Sequence, residues 1–328
     1  MLETPQQNSR GTRVRISVII PTKNRREDLL VTLRSIIQQS RPPEEVVIID
    51  QSQESCKEEI LKLFEDSSNK SGLIYIWDKD IKGPVAARVL GFKKSSGEIV
   101  FFLDDDITLE RDAVENLLCT YDTNPVLGGI GGVSTDMAGK NLLWLIAKSL
   151  FTCGPFSLKK DGWFFTAWIP HYFHNRLTTP YPSRWLLGGI MSFKRNVVEE
   201  IRFDSQLTGH VFIGDIDFTF RASERYNLVI DPRVKGFHRG GMVALYNRKG
   251  DHEKRVSGEW YFFGKHIKKN PLNNLFFAWR LFGSLLVALA ISLRYGSLDP
   301  LRGFLNGMRI GAAQYRKLFG RSFCEKNL

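Results

Sequence analysis

The chain has 328 residues, 43% of them hydrophobic and 25% charged, with a net charge of +11. These proportions are ordinary for a globular protein and exclude collagen-like, low-complexity and disulfide-rich classes; the four scattered cysteines form no CxxC pair and fit a reducing compartment. The charge is uneven: residues 233–328 hold 18 Lys+Arg against 5 Asp+Glu, while the body before them holds 28 against 30.

The polar segment 1–13 reads as a disordered lead with no apolar core of a secretory signal. Ser17-Val18-Ile19-Ile20-Pro21 is a short buried strand, followed by the polar loop Thr22 to Arg26. Glu27 to Gln39 carries Leu29, Leu30, Leu33, Ile36 and Ile37 at helical spacing, with acids in its first turn where the helix dipole favours them. Val46 to Asp50 is a second strand ending in a carboxylate, Glu54 to Glu65 a helix, and Leu73 to Trp77 a third strand. Gly83-Pro84 opens a helix through Lys94. Strand and helix alternating at this spacing predict βαβ units, an α/β class and a mostly parallel sheet.

Ile99 to Leu103 is an unbroken apolar run, read as a strand buried on both faces, and Asp104-Asp105-Asp106 follow at once. Unpaired carboxylates cannot continue into a core, so the strand must end there, at the edge where open α/β sheets place ligands. Three adjacent acids form either an acidic turn or a site for something positive, most simply a divalent cation. Asp50 and Asp104 then share one crevice. No GxGxxG follows the first strand, no Walker lysine motif is present, and Gly128 to Gly132 reads as a glycine-rich strand.

From 136 to 185 regularity fades into aromatic segments, 142–146 and 163–168, read either as core or as an acceptor-side surface. Trp185 to Phe193 reads as a strand whose Gly188-Gly189 pair permits close approach of a ligand or backbone. A helix is expected from about Asp217, with Asp215 and Asp217 at its N-terminus, Asp217 as a cap and Asp215 facing the crevice. His238, in a glycine-rich loop, is either structural or a metal ligand. Beyond residue 242 the pattern is helical. Leu275 to Leu293 is strongly apolar, but Arg280 interrupts it; an interfacial helix fits better than a span, and packing on protein is the alternative. A basic tail with an apolar helix points to an anionic membrane surface before nucleic acid.

In order, Val18 to Arg25, Val47 to Ser52, Gly83 to Arg88 with Gly91, Gly97 to Asp106, Leu187-Gly188-Gly189 and Asp215 to Arg221 resemble a bacterial family-two glycosyltransferase with the GT-A fold. The resemblance implies a catalytic domain over 14–241, with an acceptor-side insertion at 136–185, and a helical basic extension over 242–328. It places Pro21, Thr22, Asn24, Asp50, Arg88, Asp104, Asp105, Gly188 and Gly189 against a nucleotide-diphosphate sugar. It places Asp104, Asp106 and His238 on a divalent cation, Mn²⁺ or Mg²⁺, and makes Asp215 the catalytic base of an inverting transfer. Gln51, Val89 and Gly214 stand where the family often has Asp, Asn and Glu. The processive Gln/Arg-x-x-Arg-Trp motif is missing, so one sugar per acceptor is expected, on a saccharide or lipid-linked saccharide, at the cytoplasmic face of a plasma membrane. A non-catalytic nucleotide-sugar-binding subunit is the alternative, and an anionic-polymer binder has no nucleic-acid motif behind it.

Overall fold

The computed structural model describes residues 14–67, 71–135, 178–207, 211–239 and 249–319; the expectations for 1–13 and for the aromatic stretch 136–177 lie outside them. Strands β1 (Ile16–Thr22), β2 (Glu45–Asp50), β3 (Gly72–Trp77) and β4 (Ile99–Leu103) are parallel, in the order β3-β2-β1-β4. Helices α1 (Arg26–Ile37), α2 (Lys57–Glu65) and α3 (Pro84–Lys94) make the crossovers. Side chains alternate across a strand. Val18 and Ile20 therefore join Leu29, Leu33, Ile36 and Ile60 on one face, while Ile19, Val47 and Phe102 meet Val85 and Ala87 on the other. Both faces are covered, which explains the unalternating apolar runs.

The second half departs from the expected mostly parallel sheet. It contains β5 (Ile107–Leu109), α4 (Ala113–Thr123), β6 (Leu127–Ser134), β7 (Tyr181–Pro182), β8 (Ile190–Lys194), α5 (Arg195–Ile201), α6 (Val211–Ser223) and β9 (Asn227–His238). Here β8 lies antiparallel between β4 and β6, β6 pairs parallel with β9, and β5 and β7 run against β9. The reversal brings chain segments to the functional edge. Leu103 pairs with Ile190, so the turn before β8 lands beside Asp104; Ile107 pairs with His238, so the end of β9 lands beside Asp106.

Three elements differ from the sequence reading. The strand expected from Trp185 starts only at Ile190, with Gly188 and Gly189 in the preceding turn. His238 ends a strand rather than sitting in a loop. The helix expected from Asp217 starts at Val211, so both aspartates are interior and Asp217 is no cap.

Helices α7 (Lys249–His266), α8 (Pro271–Tyr295) and α9 (Asp299–Phe319) complete the chain. Asn270 caps α8 by accepting from the Asn273 amide at 2.8 Å, and Gly296, at φ 61°, ends it in the left-handed conformation. These helices share a third core with α6, where Ile213 and Ile216 meet Val256, Phe262, Phe277 and Phe304. Arg280 turns inward, its Nη2 donating to Glu259 Oε1 at 2.7 Å. The outer side of α8 therefore carries an exposed apolar stripe: Leu272, Leu275, Trp279, Phe282, Leu289 and Leu293. Their spacing of three, four or seven keeps them on one helix face. One face of this stretch packs on protein, as the alternative expectation had it, and the other face is open.

Candidate active site

The carboxyl ends of β1, β2 and β4 share one edge, and Thr22 and Asp50 are in register there. Asp50 is fully buried and accepts from the Tyr75 hydroxyl and, at 2.8 Å, from the Ser52 amide. Asn24, at φ 54°, links the two edge loops: its amide donates to Ser52 Oγ at 2.7 Å, and its Oδ1 accepts from the Gln53 amide at 3.1 Å. Pro21 and Thr22 are buried beneath this loop pair.

The three consecutive aspartates sit in different surroundings, with Arg25 shared by the last two. Asp105 turns inward; Thr22 Oγ1 donates to it at 2.7 Å, and burial, outweighing Thr22 and Arg25, pushes its carboxyl up to about 7. Asp106 is also buried. Burial alone would raise it, but His238 and Arg25 outweigh that and hold its carboxyl below the usual range. His238 Nε2 lies 3.2 Å from Asp106 Oδ1. Asp104 is the more exposed member and is held by Arg88 Nη2 at 2.8 Å.

Arg88 comes from α3 and its side chain is 1% exposed. It donates to Asp104, to Asp215 on α6 and, at 3.2 Å, to the Gly188 carbonyl. The resemblance gave Arg88 to the nucleotide; the structure engages its guanidinium with the site's own carboxylates. Asp215 is buried, and that burial pushes its carboxyl up to about 7, against the pull of Arg88 and with a push from Asp104. A carboxylate poised near neutrality suits a general base.

The glycine pair explains how two acids approach so closely. A Cβ at Gly188 would collide with the Asp215 carboxylate, and one at Gly189 would lie 2.6 Å from Asp104 Oδ2. The Asp104 amide also donates to the Gly189 carbonyl at 3.0 Å. The close approach expected here is therefore to the site's own side chains.

Among the described residues no group of three or more His, Cys, Asp or Glu side chains is gathered as a metal site. Asp106 and His238 adjoin, and carboxylate oxygens with an imidazole nitrogen are donors that Mn²⁺ or Mg²⁺ accepts. Asp104 is drawn to Arg88 instead. The sequence reading assigned no role to Arg25, which pairs with both Asp105 and Asp106. Its signal was present: a cation in the first edge loop, opposite three consecutive acids.

Gly188→Ala should test the close approach. The added methyl displaces Asp215, and a misplacement of about 1 Å can cost on the order of 10²-fold in turnover. Turnover at this site should fall by about that factor while the melting temperature moves by only roughly a few degrees. Unchanged turnover would mean that Asp215 needs no such proximity.

Residues 17–202, more than half of the chain, match the family model described as glycosyl transferase family 2. A glucosyl-dolichyl phosphate glucuronosyltransferase of Haloferax volcanii is 29% identical over 121 residues, 36% of this chain and 38% of that protein. The glycosyltransferase TuaG of Bacillus subtilis, named for teichuronic acid biosynthesis, is 29% identical over 103 residues, 31% of this chain and 40% of its own length. The chain thus spans about two-fifths of the length of these relatives. Among solved structures, the mannosyltransferase PcManGT of Pyrobaculum calidifontis, in complex with GDP-Man and Mn²⁺, superposes with a TM-score of 0.55 at 17% identity, covering 94% of this chain and 84% of that one. That likeness shows the fold, the GT-A architecture that the sequence resemblance implied. Because the family model spans the strands and loops that present Thr22, Asp50, Asp104 and Gly188, the chain belongs to glycosyl transferase family 2.

Proposed function

We propose that this protein is an inverting, non-processive glycosyltransferase. It moves one sugar from a nucleotide-diphosphate sugar to a saccharide or lipid-linked saccharide acceptor in surface polysaccharide biosynthesis. The observation that carries this reading is the bracket Asp104–Arg88–Asp215, which joins the donor edge to one buried carboxyl poised near neutrality. In the reaction Asp215 takes the proton of the acceptor hydroxyl. The acceptor oxygen bonds to the anomeric carbon as the carbon–oxygen bond to the diphosphate breaks on the opposite face, and the nucleoside diphosphate leaves. Asp50 and the laced loops around Asn24 receive the nucleoside. A divalent cation, when bound by Asp104, Asp106 and His238, supplies charge neutralisation to the leaving diphosphate. The neighbour solved with GDP-Man and Mn²⁺ supports this donor and cation class. A pure nucleotide-sugar-binding subunit has no use for Asp215.

The apolar stripe of α8 supports a membrane reading. Arg302, Arg309 and Arg316 recur every seven residues on the exposed side of α9, and Arg294 flanks them. Although α8 is long and apolar enough to cross a bilayer, its inner face is committed to the third core. We assign it to an in-plane, peripheral or monotopic position on the anionic cytoplasmic face of the plasma membrane. The relative named for a dolichyl phosphate substrate supports a lipid-linked acceptor.

Two substitutions separate binding from chemistry. Asp215→Asn should lower transfer by about 10²-fold or more with donor affinity within a few-fold, whereas Asp106→Asn should abolish cation-dependent donor binding in calorimetry. Donor affinity in Mn²⁺ that is unchanged by Asp106→Asn would remove the cation assignment; transfer persisting in Asp215→Asn would remove the base. For the membrane, full-length protein should float with anionic vesicles at low salt. A Leu275→Glu, Phe282→Glu pair on the exposed stripe should release it while the fold persists. Wild-type protein staying in the soluble fraction would refute this part.

A further inference from the structure

The helix that carries the proposed base also carries a second carboxylate with a different set of partners. Asp215 and Asp217 are two residues apart on α6, about 200° around the helix axis. Asp215 turns to Arg88 and Gly188. Asp217 turns the other way. Its side chain is 1% exposed and lies 2.7 Å from Lys265 Nζ, 2.7 Å from His266 Nε2 and 2.8 Å from Arg221 Nη2. Burial would raise its carboxyl, but His266, Arg221 and Lys265 outweigh burial and hold it at about 2.

The cluster extends in both directions. Lys265 Nζ also meets Asp204 Oδ2 at 2.5 Å, and the Tyr261 hydroxyl donates to the same oxygen at 2.6 Å. Arg221 Nη2 donates to the Arg202 carbonyl at 2.7 Å, at the end of α5. Two carboxylates thus face two permanent cations and one histidine. Lys265 and His266 both lie in the last turn of α7, 48 or more residues beyond Asp217 in the chain. The Phe220 ring packs beside Phe262 and His266 at 5.3 and 5.0 Å.

Stability alone does not account for this arrangement. Helix α6 is already anchored by Ile213 and Ile216 in the third core and by Phe218 in the second. A buried ion cluster adds little net stability over an apolar replacement, but its fixed geometry specifies one setting of the elements it joins. The setting joined to it here is the rotation and height of the helix that carries Asp215 to Arg88.

We propose that Lys265 and His266 are positioning residues of the transfer reaction. Acting through Asp217, they lock α6 so that Asp215 meets Asp104 across Arg88, and the C-terminal helices thereby belong to the catalytic unit. This rests on the assignment of Asp215 as the base.

The test uses the full chain with Lys265→Met, Lys265→Arg, Asp217→Asn and Asp215→Asn. Lys265→Met and Asp217→Asn should lower kcat by roughly 10- to 100-fold. Donor KM should stay within about threefold and the melting temperature within about 4 °C. Lys265→Arg, which can reach both Asp204 and Asp217, should recover most of the rate. Should Asp217→Asn fail to fold, the Lys265 pair carries the test. A wild-type kcat in Lys265→Met, beside an inactive Asp215→Asn, overturns the positioning role and leaves the base assignment standing. Donor affinity and melting temperature falling in step with kcat, with no recovery in Lys265→Arg, also overturns it, since that is the pattern of a merely structural contact. An active Asp215→Asn removes the base assignment and this inference with it.

Discussion

One buried guanidinium organises this protein. Arg88 has no solvent to stabilise its charge, so it must be paired, and its partners come from distant parts of the chain: Asp104 after β4, Asp215 on α6 and the Gly188 carbonyl. Satisfying that one charge fixes three elements about a common point. It also requires the turn before β8 to have no side chain where the carboxylates converge. The antiparallel insertion of β8 beside β4 brings that turn to the right place. Removing Arg88 would leave the buried Asp215 carboxylate beside Asp104 without the cation they share, so the end of β4 and helix α6 cannot be varied independently.

A similar electrostatic logic governs the C-terminal helices. Arg280 lies in the middle of the most apolar helix, yet it causes no conflict, because Glu259 on α7 receives it inside the third core. Once that charge is turned inward, the outer face of α8 is free of charge from Leu272 to Leu293. The proposed membrane surface combines this stripe with the exposed Arg302, Arg309 and Arg316 of α9. Such a pairing gives two attractions to an anionic bilayer, and reversible anchoring generally needs two. The third core also includes Phe277, Leu281, Ala288 and Phe304, so the C-terminal helices and α6 are packed together there.

Much of the fold was legible because local rules and global burial agree. Apolar runs of three, four and five residues that stop at Pro21, Asp50 and Asp104 read as buried strands ending at a polar edge. What was hidden depends on partners far away in sequence. Asp215 and Asp217 read locally as the N-terminus of a helix, with Asp217 as its cap. Its true place inside α6 is tolerated because Lys265 and His266 neutralise it across 48 and 49 residues. The reversal of β8 could not be seen either, since strand direction leaves no mark on an apolar pattern. Arg25 was overlooked because an arginine in a polar loop looks solvated until the acids it meets are known. Gly188 and Gly189 were read as a place of close approach for a ligand or backbone; the groups that approach them here are the site's own carboxylates.

The central claim is that the carboxyl edge of the sheet holds a cation and a diphosphate on the Asp104–Asp106 side while Arg88 keeps Asp215 aimed at the sugar. Diffraction from crystals grown with a nucleoside diphosphate and Mn²⁺, recorded at the manganese edge, measures this directly. One anomalous peak is expected within ligand distance of Asp104, Asp106, His238 and the diphosphate, with the Arg88–Asp215 pair intact. A peak elsewhere on the chain, or a bound diphosphate with Asp215 turned away from Arg88, would contradict it.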